Sequence, residues 1–364
     1  MTDQRIHLVV LFGGESAEHD VSCTTAAHVL RAADPGTYRI TPVGIGRDGQ
    51  WANADEAAAA LDRGPEHLPS RLDPAGEAIS PTPMLEMASR TAADSAPTVV
   101  LPLLHGPMGE DGTVQGLLEL ANVPYVGTGV LGSAVAMDKA MAKEVLRSAG
   151  IPQVRHGTTR AQEVDDLLLG RFIDDLGLPL FVKPANMGSS VGVSRACSIE
   201  ELRDAVTLAL DYDEIIVIEE AVDGREIEVA VLGNNEPEAS VPGEIVPGEE
   251  FYSYEDKYVT DGAQLLVPAP LSADESDRVR SLAVNAFTAL RCEGLSRVDF
   301  FYEDPANGGR GFLLNEVNTM PGFTPISMYP KLWIESGVGY SELIDRLVDL
   351  AIERHVRRRR NTKR

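Results

Sequence analysis

Residues 296–302 (Ser-Arg-Val-Asp-Phe-Phe-Tyr) and 312–318 (Phe-Leu-Leu-Asn-Glu-Val-Asn) are apolar segments broken by charged and amide side chains. The linker between them contains Asn307-Gly308, a strong hairpin turn signal. Pairing outward from that dipeptide sets Asp299 opposite Glu316. Strand alternation puts Arg297 and Asp299 on one face, and Glu316 and Asn318 likewise. Two carboxylates and a carboxamide facing each other repel unless a cation sits between them. Hard oxygen ligands of this kind suit Mg²⁺, which keeps waters and substrate phosphates in its shell. Taken alone, a solvated outer face of an antiparallel pair is the better reading. The other motifs shift that balance.

Residues 183–192 read Lys-Pro-Ala-Asn-Met-Gly-Ser-Ser-Val-Gly between two apolar segments. Gly188 and Gly192 allow close backbone approach, while Ser189 and Ser190 offer hydroxyl and N–H donors, as a loop over phosphates requires. It is no P-loop, since a Gly-Lys-Ser/Thr leading into a helix is missing here and elsewhere. The only lysines are Lys139, Lys143, Lys183, Lys257, Lys331 and Lys363. Lys183 ends an apolar segment, where a bound anion explains a charge that a surface role does not. The run 215–218 exits into Glu219-Glu220-Ala221-Val222, with Glu226 beyond Gly224. Such a strand can offer backbone groups to an adenine edge and the later acid to ribose, although by itself it reads as an ordinary interdomain connection.

Gly13-Gly14-Glu15-Ser16-Ala17-Glu18-His19 joins an apolar strand to a helix. Ser16 reads as an N-cap and Glu18 as a first-turn acid favoured by the helix dipole. The functional alternative has Glu18 bind a substrate ammonium at the carboxyl edge of a parallel sheet, where ligands of open α/β sheets sit. Without Gly-x-Gly-x-x-Gly the loop does not suit a dinucleotide. His105-Gly106-Pro107-Met108-Gly109-Glu110-Asp111-Gly112 follows a later strand in the same way, and a lone His105 is more often structural than catalytic.

Around these motifs the pattern alternates. Strands at 6–12, 38–45 and 98–104 with helices at 16–33 and 114–121 predict α/β alternation about a largely parallel sheet. Residues 53–96, rich in Ala, Pro and Asp, read as a peripheral excursion with short helices. Further on, helices are expected at 139–149, 199–210, 273–290 and 341–354, and strands at 178–183, 191–195 and 215–219. The basic tail from His355 reads as a frayed, solvated end. The expected division is 1–138, 139–225 and 226–364, a mixture of α/β and α+β units.

Lys and Arg number 32 against 56 Asp and Glu, a net charge of −24. That charge argues against polynucleotides and anionic membrane surfaces as partners. The apolar run 6–12 contains His7 and ends in glycines, so it reads as a buried strand rather than a signal peptide. No run approaches the roughly 20 apolar residues of a membrane span. Cys23, Cys197 and Cys292 are few, odd in number and far apart, which fits a reducing, cytoplasmic compartment.

Taken together the motifs resemble the D-alanine–D-alanine ligases of the ATP-grasp superfamily. The resemblance rests on Gly13-Gly14-x-Ser16-x-Glu18-His19, residues 105–116, Met137-Asp138-Lys139, residues 183–192 and 251–258, and Glu316-Val317-Asn318-Thr319-Met320-Pro321-Gly322-Phe323-Thr324. It covers almost the whole chain and implies a three-domain ATP-grasp architecture with an N-terminal parallel-sheet domain.

The resemblance further implies residue roles. Lys139 and Lys183 hold ATP phosphates under the 188–192 loop, with Ser189 and Ser190, and Lys257 reaches the γ-phosphate. Glu219, the Glu220 backbone, Ala221 and Val222 edge the adenine, Phe251 lies against its ring, and Glu226 takes the ribose. Asn315 and Glu316 complete the ATP site, and Asp299, Glu316 and Asn318 bind two Mg²⁺ (or Mn²⁺). Activation by a monovalent cation stays open. Glu18 holds the first D-alanine's ammonium, supported by Ser189 and Tyr258, with His105 nearby. Arg297 and the Gly322 N–H stabilise an oxyanion, and Ser327 and the Met328 backbone bind the second carboxylate. A homodimer is implied. Ser253 stands where many members carry Asp, and Glu220 where some carry Lys. Tyr258 favours D-alanine over D-lactate as second substrate. Ligation to D-lactate or D-serine, or a catalytically silent nucleotide binder, are the rival readings.

Overall fold

Apolar sequence broken only by His7 makes β1 (Ile6–Gly13) a strand that needs cover on both faces, and it lies inside a parallel sheet. The computed structural model of the chain describes residues 4–81, 97–246 and 264–358. After β1 come α1 (His19–Ala32), β2 (Tyr38–Ile45), β3 (Trp51–Asn53), α2 (Asp55–Arg63), β4 (Thr98–Pro102), α3 (Thr113–Leu120) and α4 (Val130–Met137). The order is β3-β2-β1-β4, with β1 parallel to both neighbours and β3 antiparallel at the edge. Within the excursion the described part holds α2 and one 3-10 turn, Pro65–His67, and Ala78 bridges back to Ala52 of β3. Residues 82–96 lie outside the described residues.

α5 (Lys139–Ser148) leads into a second sheet, entirely antiparallel: β5 (His156–Arg160), β6 (Leu180–Pro184), β7 (Ser194–Ala196) and β8 (Ile215–Glu220), ordered β5-β8-β6-β7. α6 (Asp166–Leu176) and α7 (Ile199–Leu210) cover one face, packing Leu169, Leu202 and Val206 on Leu180, Val182 and Ile218. The opposite face carries Phe181 and Lys183 into the central cavity. β5 had no clear sequence signal, because it is short and polar, His-Gly-Thr-Thr-Arg, whereas α6 was missed despite the Asp165 N-cap that accepts from Leu168 N.

The third sheet is β11-β10-β9-β12-β13, also antiparallel, built from β9 (Arg225–Gly233), β10 (Glu238–Val246), β11 (Gln264–Leu266), β12 (Gly294–Glu303) and β13 (Gly311–Asn318). α8 (Ala273–Ala289) starts at a capping box of Ser272 and Glu275 and buries Val279, Ala283 and Phe287 against Val229, Val298 and Phe300. α9 (Met328–Glu335) and α10 (Tyr340–Arg357) end the chain. Leu343, Leu347 and Val348 of α10 join Leu8, Val10 and Phe12 in one core. At ~1.5–3 kcal/mol for each large apolar side chain buried, this helix is a main tie between the last third of the chain and the first sheet.

The basic end is less frayed than expected. Arg354 is buried over the Tyr125 ring, 3.9 Å from its centroid, and donates to the carbonyls of Tyr125 and Gly127. Arg357 and Arg358 both pair with Glu293, which is why the helix persists past His355. Residues 359–364 lie outside the described residues. No described helix is long and apolar enough to cross a membrane.

Candidate active site

The hairpin places Asp299 opposite Glu316 and Arg297 opposite Asn318, as its spacing predicts. Its turn is a different one. Pro305–Asn307 forms a 3-10 turn, Gly308 is left-handed (φ 84°), and Glu303 pairs with Gly311, one step off the Asn-Gly centre. A bulge restores the register, with Asn315 as the extra residue between Leu314, opposite Phe300, and Glu316, opposite Asp299. Asn315 and Glu316 therefore both line the same cavity.

β9 is the other neighbour of β12, so Glu228, Asp299 and Glu316 form one row across three strands. Carboxylates abreast repel, and Arg297 compensates. Its guanidinium donates to both oxygens of Asp299 at 2.8 Å and lies 3.0 Å from Glu228 Oε2. Burial opposes that charge, but Asp299 and Glu228 outweigh it and hold the Arg297 pKa above its ordinary range. Asn318 Nδ2 donates to Asp299 Oδ2 at 2.9 Å. Among the described residues no three His, Cys, Asp or Glu side chains converge as a ready metal cage. The two carboxylates and one carboxamide at the end of the hairpin are nonetheless hard donors beside an open cavity. That set fits a Mg²⁺-type cation completing its shell with phosphate oxygens.

Lys183 comes from β6, opposite Val217 of β8, and its ammonium lies 2.7 Å from Glu219 Oε2 and donates to Asn315 Oδ1 at 3.1 Å. The second oxygen of Glu219 pairs at 2.7 Å with Lys143, a side chain only 2% exposed. Burial resists charge on Glu219, but the two lysines prevail and hold its carboxyl far below the usual range. Burial lowers the Lys183 pKa, yet Glu219 and Glu316 more than reverse this, so the ammonium is favoured. Lys139 begins α5 and reaches the Met187 carbonyl; burial lowers its pKa, opposed chiefly by Glu316. In the loop above, the left-handed residues are Ser189 (φ 52°), Ser190 (φ 58°) and Gly192 (φ 71°). Gly192 also has no room for a Cβ, which would stand 2.7 Å from Tyr212 and 2.8 Å from Pro184. Strain in two serines points their part of the loop toward a fixed task.

These groups line a cavity of about 800 Å³. Lys139, Lys183, Gly188, Ser189, Ser190, Glu219, Glu220, Ala221, Val222, Glu226, Arg297, Asp299, Asn315, Glu316 and Asn318 all contribute to its wall. At the rim the Glu220 side chain is engaged elsewhere, pairing with Arg155 at 2.7 Å and Arg310 at 2.5 Å. Phe251, Ser253, Lys257 and Tyr258 lie outside the described residues.

A second group of expected residues stands beside the cavity rather than in its wall. Ser16 does not cap α1: its hydroxyl accepts from Glu18 N at 3.2 Å, and Glu18 is itself the N-cap residue, without a side-chain cap bond. The Glu18 carboxylate reaches the 188–192 loop, 3.5 Å from where a Cβ of Gly188 would be. His105 is buried, with Nδ1 2.9 Å from the Met320 carbonyl. Gly322 and Ser327 adjoin, since a Cβ on Gly322 would meet Ser327 Oγ at 3.2 Å. Ser327 bonds Thr324 and precedes Met328, the first residue of α9.

Three further polar residues belong here that the motifs did not single out: Glu228, Lys143 and Glu110. Alternation of Glu226 and Glu228 with Ile227 and Val229 was a signal for the first. Helical spacing from Lys139 was a signal for the second. Glu110 lies within the 105–112 motif, but its contact with the distant Met320 amide leaves no local signal; its other partner, Gly106 N, is four residues away.

Residues 7–128 match the family model for the D-ala D-ala ligase N-terminus, and residues 145–349 that for the D-ala D-ala ligase C-terminus. The chain is 46% identical to a D-alanine–D-alanine ligase of Bacillus pumilus, covering 96% of this chain and 97% of that one. It is 48% identical to one of Deinococcus radiodurans, covering 95% and 98%. The D-alanine–D-alanine ligase structure from Coxiella burnetii superposes with a TM-score of 0.79 at 36% identity, covering 97% and 96%. The VanG D-Ala:D-Ser ligase from Enterococcus faecalis superposes with a TM-score of 0.79 at 33% identity, covering 96% and 100%. The fold is that of the ATP-grasp ligases. Matched over nearly its whole length by both halves of one family, the chain belongs to the D-alanine–D-alanine ligases.

Proposed function

We propose that the cavity joins two D-alanine molecules to D-alanyl-D-alanine at the expense of ATP, for peptidoglycan precursor synthesis. The observation that carries this reading is the convergence of the described nucleotide and cation motifs on one cavity, in a chain of this family.

The first D-alanine carboxylate oxygen attacks the γ-phosphorus, its bond to ADP breaks, and an acyl phosphate results. Lys139 and Lys183 meet the phosphates, with Ser189 and Ser190 closing over them. Asp299, Glu316 and Asn318 would hold the divalent cations, Mg²⁺ or Mn²⁺, which supply charge neutralisation on the transferring group. Glu18 receives the first ammonium beside Gly188, with Ser189 and Tyr258 completing the chain of contacts and His105 close by. The second amine, having lost a proton, attacks the acyl carbonyl; Arg297 and the Gly322 amide meet the oxyanion, and inorganic phosphate departs. Ser327 and the Met328 amide take the second carboxylate. Glu219, the Glu220 backbone, Ala221 and Val222 face the adenine, with Phe251 against its ring; Glu226 binds ribose, Asn315 and Glu316 the polyphosphate end, and Lys257 the γ-phosphate. Division at residues 138 and 225, a homodimer and a cytoplasmic location belong to the same reading.

The test supplies purified protein with ATP and Mg²⁺ and follows phosphate release and dipeptide with D-alanine alone, or with D-lactate or D-serine added. D-alanine alone suffices on this reading. Turnover that requires D-lactate or D-serine defeats it in favour of a depsipeptide or D-serine ligase. Asp299→Asn is expected to lower kcat by about 100-fold or more, and full activity of that variant rejects the cation assignment.

A further inference from the structure

Glu110 is a buried carboxylate at the edge of the cavity with no part in the reaction scheme above. Both of its oxygens accept from backbone amides. Oε2 takes Gly106 N at 2.7 Å, and Oε1 takes Met320 N at 3.0 Å. His105 Nδ1 stands 2.9 Å from the carbonyl of the same Met320. One loop of the first unit thus holds both polar backbone atoms of a residue midway between Asn318 and Gly322. The loop is braced from behind, since Gln115 Nε2 donates to Gly109 O at 2.8 Å. Gly109 admits no Cβ either, because one would lie 2.7 Å from Leu104.

We infer that Glu110, assisted by His105, is a positioning residue for the ligation step: it anchors residues 319–322 so that the Gly322 amide is aimed before the second amine attacks. The inference rests on the proposed role of Gly322 as an oxyanion donor. A carboxylate is needed because two amide donors converge from different loops. A carboxamide has one acceptor oxygen and would turn its NH₂ toward the other donor. Burying the group among few cations is unfavourable, with Glu18 adding repulsion and only His105 and the two amides opposing. A group retained against that cost does more than fill space. A displacement of about 1 Å at a reacting group can cost about 100-fold in rate.

The test compares Glu110→Gln, Glu110→Asp and Gly322→Pro, which removes the amide donor, in the full-length protein, measuring kcat, KM for ATP, melting temperature and phosphate released per dipeptide. Glu110→Gln is expected to lower dipeptide formation by about 10- to 100-fold, with KM for ATP nearly unchanged. Phosphate per dipeptide rises above one, because an acyl phosphate that waits for a misaligned donor hydrolyses. Glu110→Asp, which keeps the charge but is too short to span both amides, gives the same uncoupling and stands as the readout if the glutamine variant does not fold. Tight coupling in both Glu110 variants overturns the inference, including the case where activity falls only in step with melting temperature. Uncoupling by Gly322→Pro alone defeats the anchor and spares the oxyanion reading. Uncoupling by the Glu110 variants with Gly322→Pro, which lacks the N–H, still tightly coupled rejects that reading and, with it, the aim assigned to the anchor.

Discussion

At the floor of the cavity Glu219 lies between Lys143 and Lys183, each 2.7 Å away, with side-chain exposures of 3%, 2% and 13%. At the rim Glu220, the next residue, meets Arg155 and Arg310, whose side chains are 57% and 40% exposed. Adjacent carboxylates on one strand point to opposite faces of a sheet, so these two glutamates, 3% and 7% exposed, meet different partners: buried lysines on one face, half-exposed arginines on the other. At the floor, water cannot screen the charges, and removing one lysine leaves an oxygen of Glu219 with neither a cation nor water to meet it. The second lysine there also has a chemical consequence, because a single pair would be neutral whereas the trio keeps a positive charge, as the proposed phosphate site requires. At the rim, Glu220 keeps the Arg155 amide and guanidinium when Arg310 is lost, and the exposed arginines are screened by solvent.

The largest effect that would sharpen this contrast is expected from Lys143→Met. Leaving one oxygen of Glu219 without its cation should cost about 3 kcal/mol of stability, as for a buried charged acceptor left unsatisfied. KM for ATP should rise as well, because Lys183 becomes committed to Glu219. Denaturant titration and initial rates check both, and a variant as stable as the parent would show that the floor is no more sensitive than the rim.

Glu110 gives an intermediate effect, because its buried charge is met by amides rather than by a cation. Burial, with Glu18, pushes its carboxyl up from 4.5 to about 7. The folded state therefore holds its proton more tightly than the unfolded chain does. The stability this contributes is complete below about pH 4.5 and is lost as the pH rises through about 7, on the order of 3 kcal/mol in all. Glu110→Gln should flatten that dependence, which unfolding titrations across the window would reveal. Parallel curves for the two proteins would contradict it.

The smallest effect belongs to the rim. Arg310→Ala removes contacts to Glu220 and Glu303, yet should change stability by less than about 1 kcal/mol and fade further in salt. A loss as large as that of Lys143→Met would erase the distinction between the two regions.

Much of the site was legible in residue order because its motifs are local. Asp299 and Glu316 were paired correctly from the hairpin, but the Asn-Gly centre was displaced, and a bulge at Asn315 made up the difference. A bulge answers to packing on neighbouring strands and leaves no local mark. β5 escaped notice for a similar reason, since polar residues form that strand only because β8 offers it an edge. The tail from His355 was read from charge alone as frayed, whereas in its described part, to residue 358, Glu293 gathers Arg357 and Arg358 against the fold.

Taken by itself, the sequence determined the family, the alternation of elements and the residue types proposed for nucleotide and cation, because short motifs and apolar periodicity act over neighbouring positions. The tertiary structure alone decided which charges meet: Glu228 beside Asp299, Lys143 beneath Glu219, and Glu110 against a Met320 amide 210 residues away. Electrostatic strength depends on distance and on exclusion of water, and both are set only when separate segments are brought into one core.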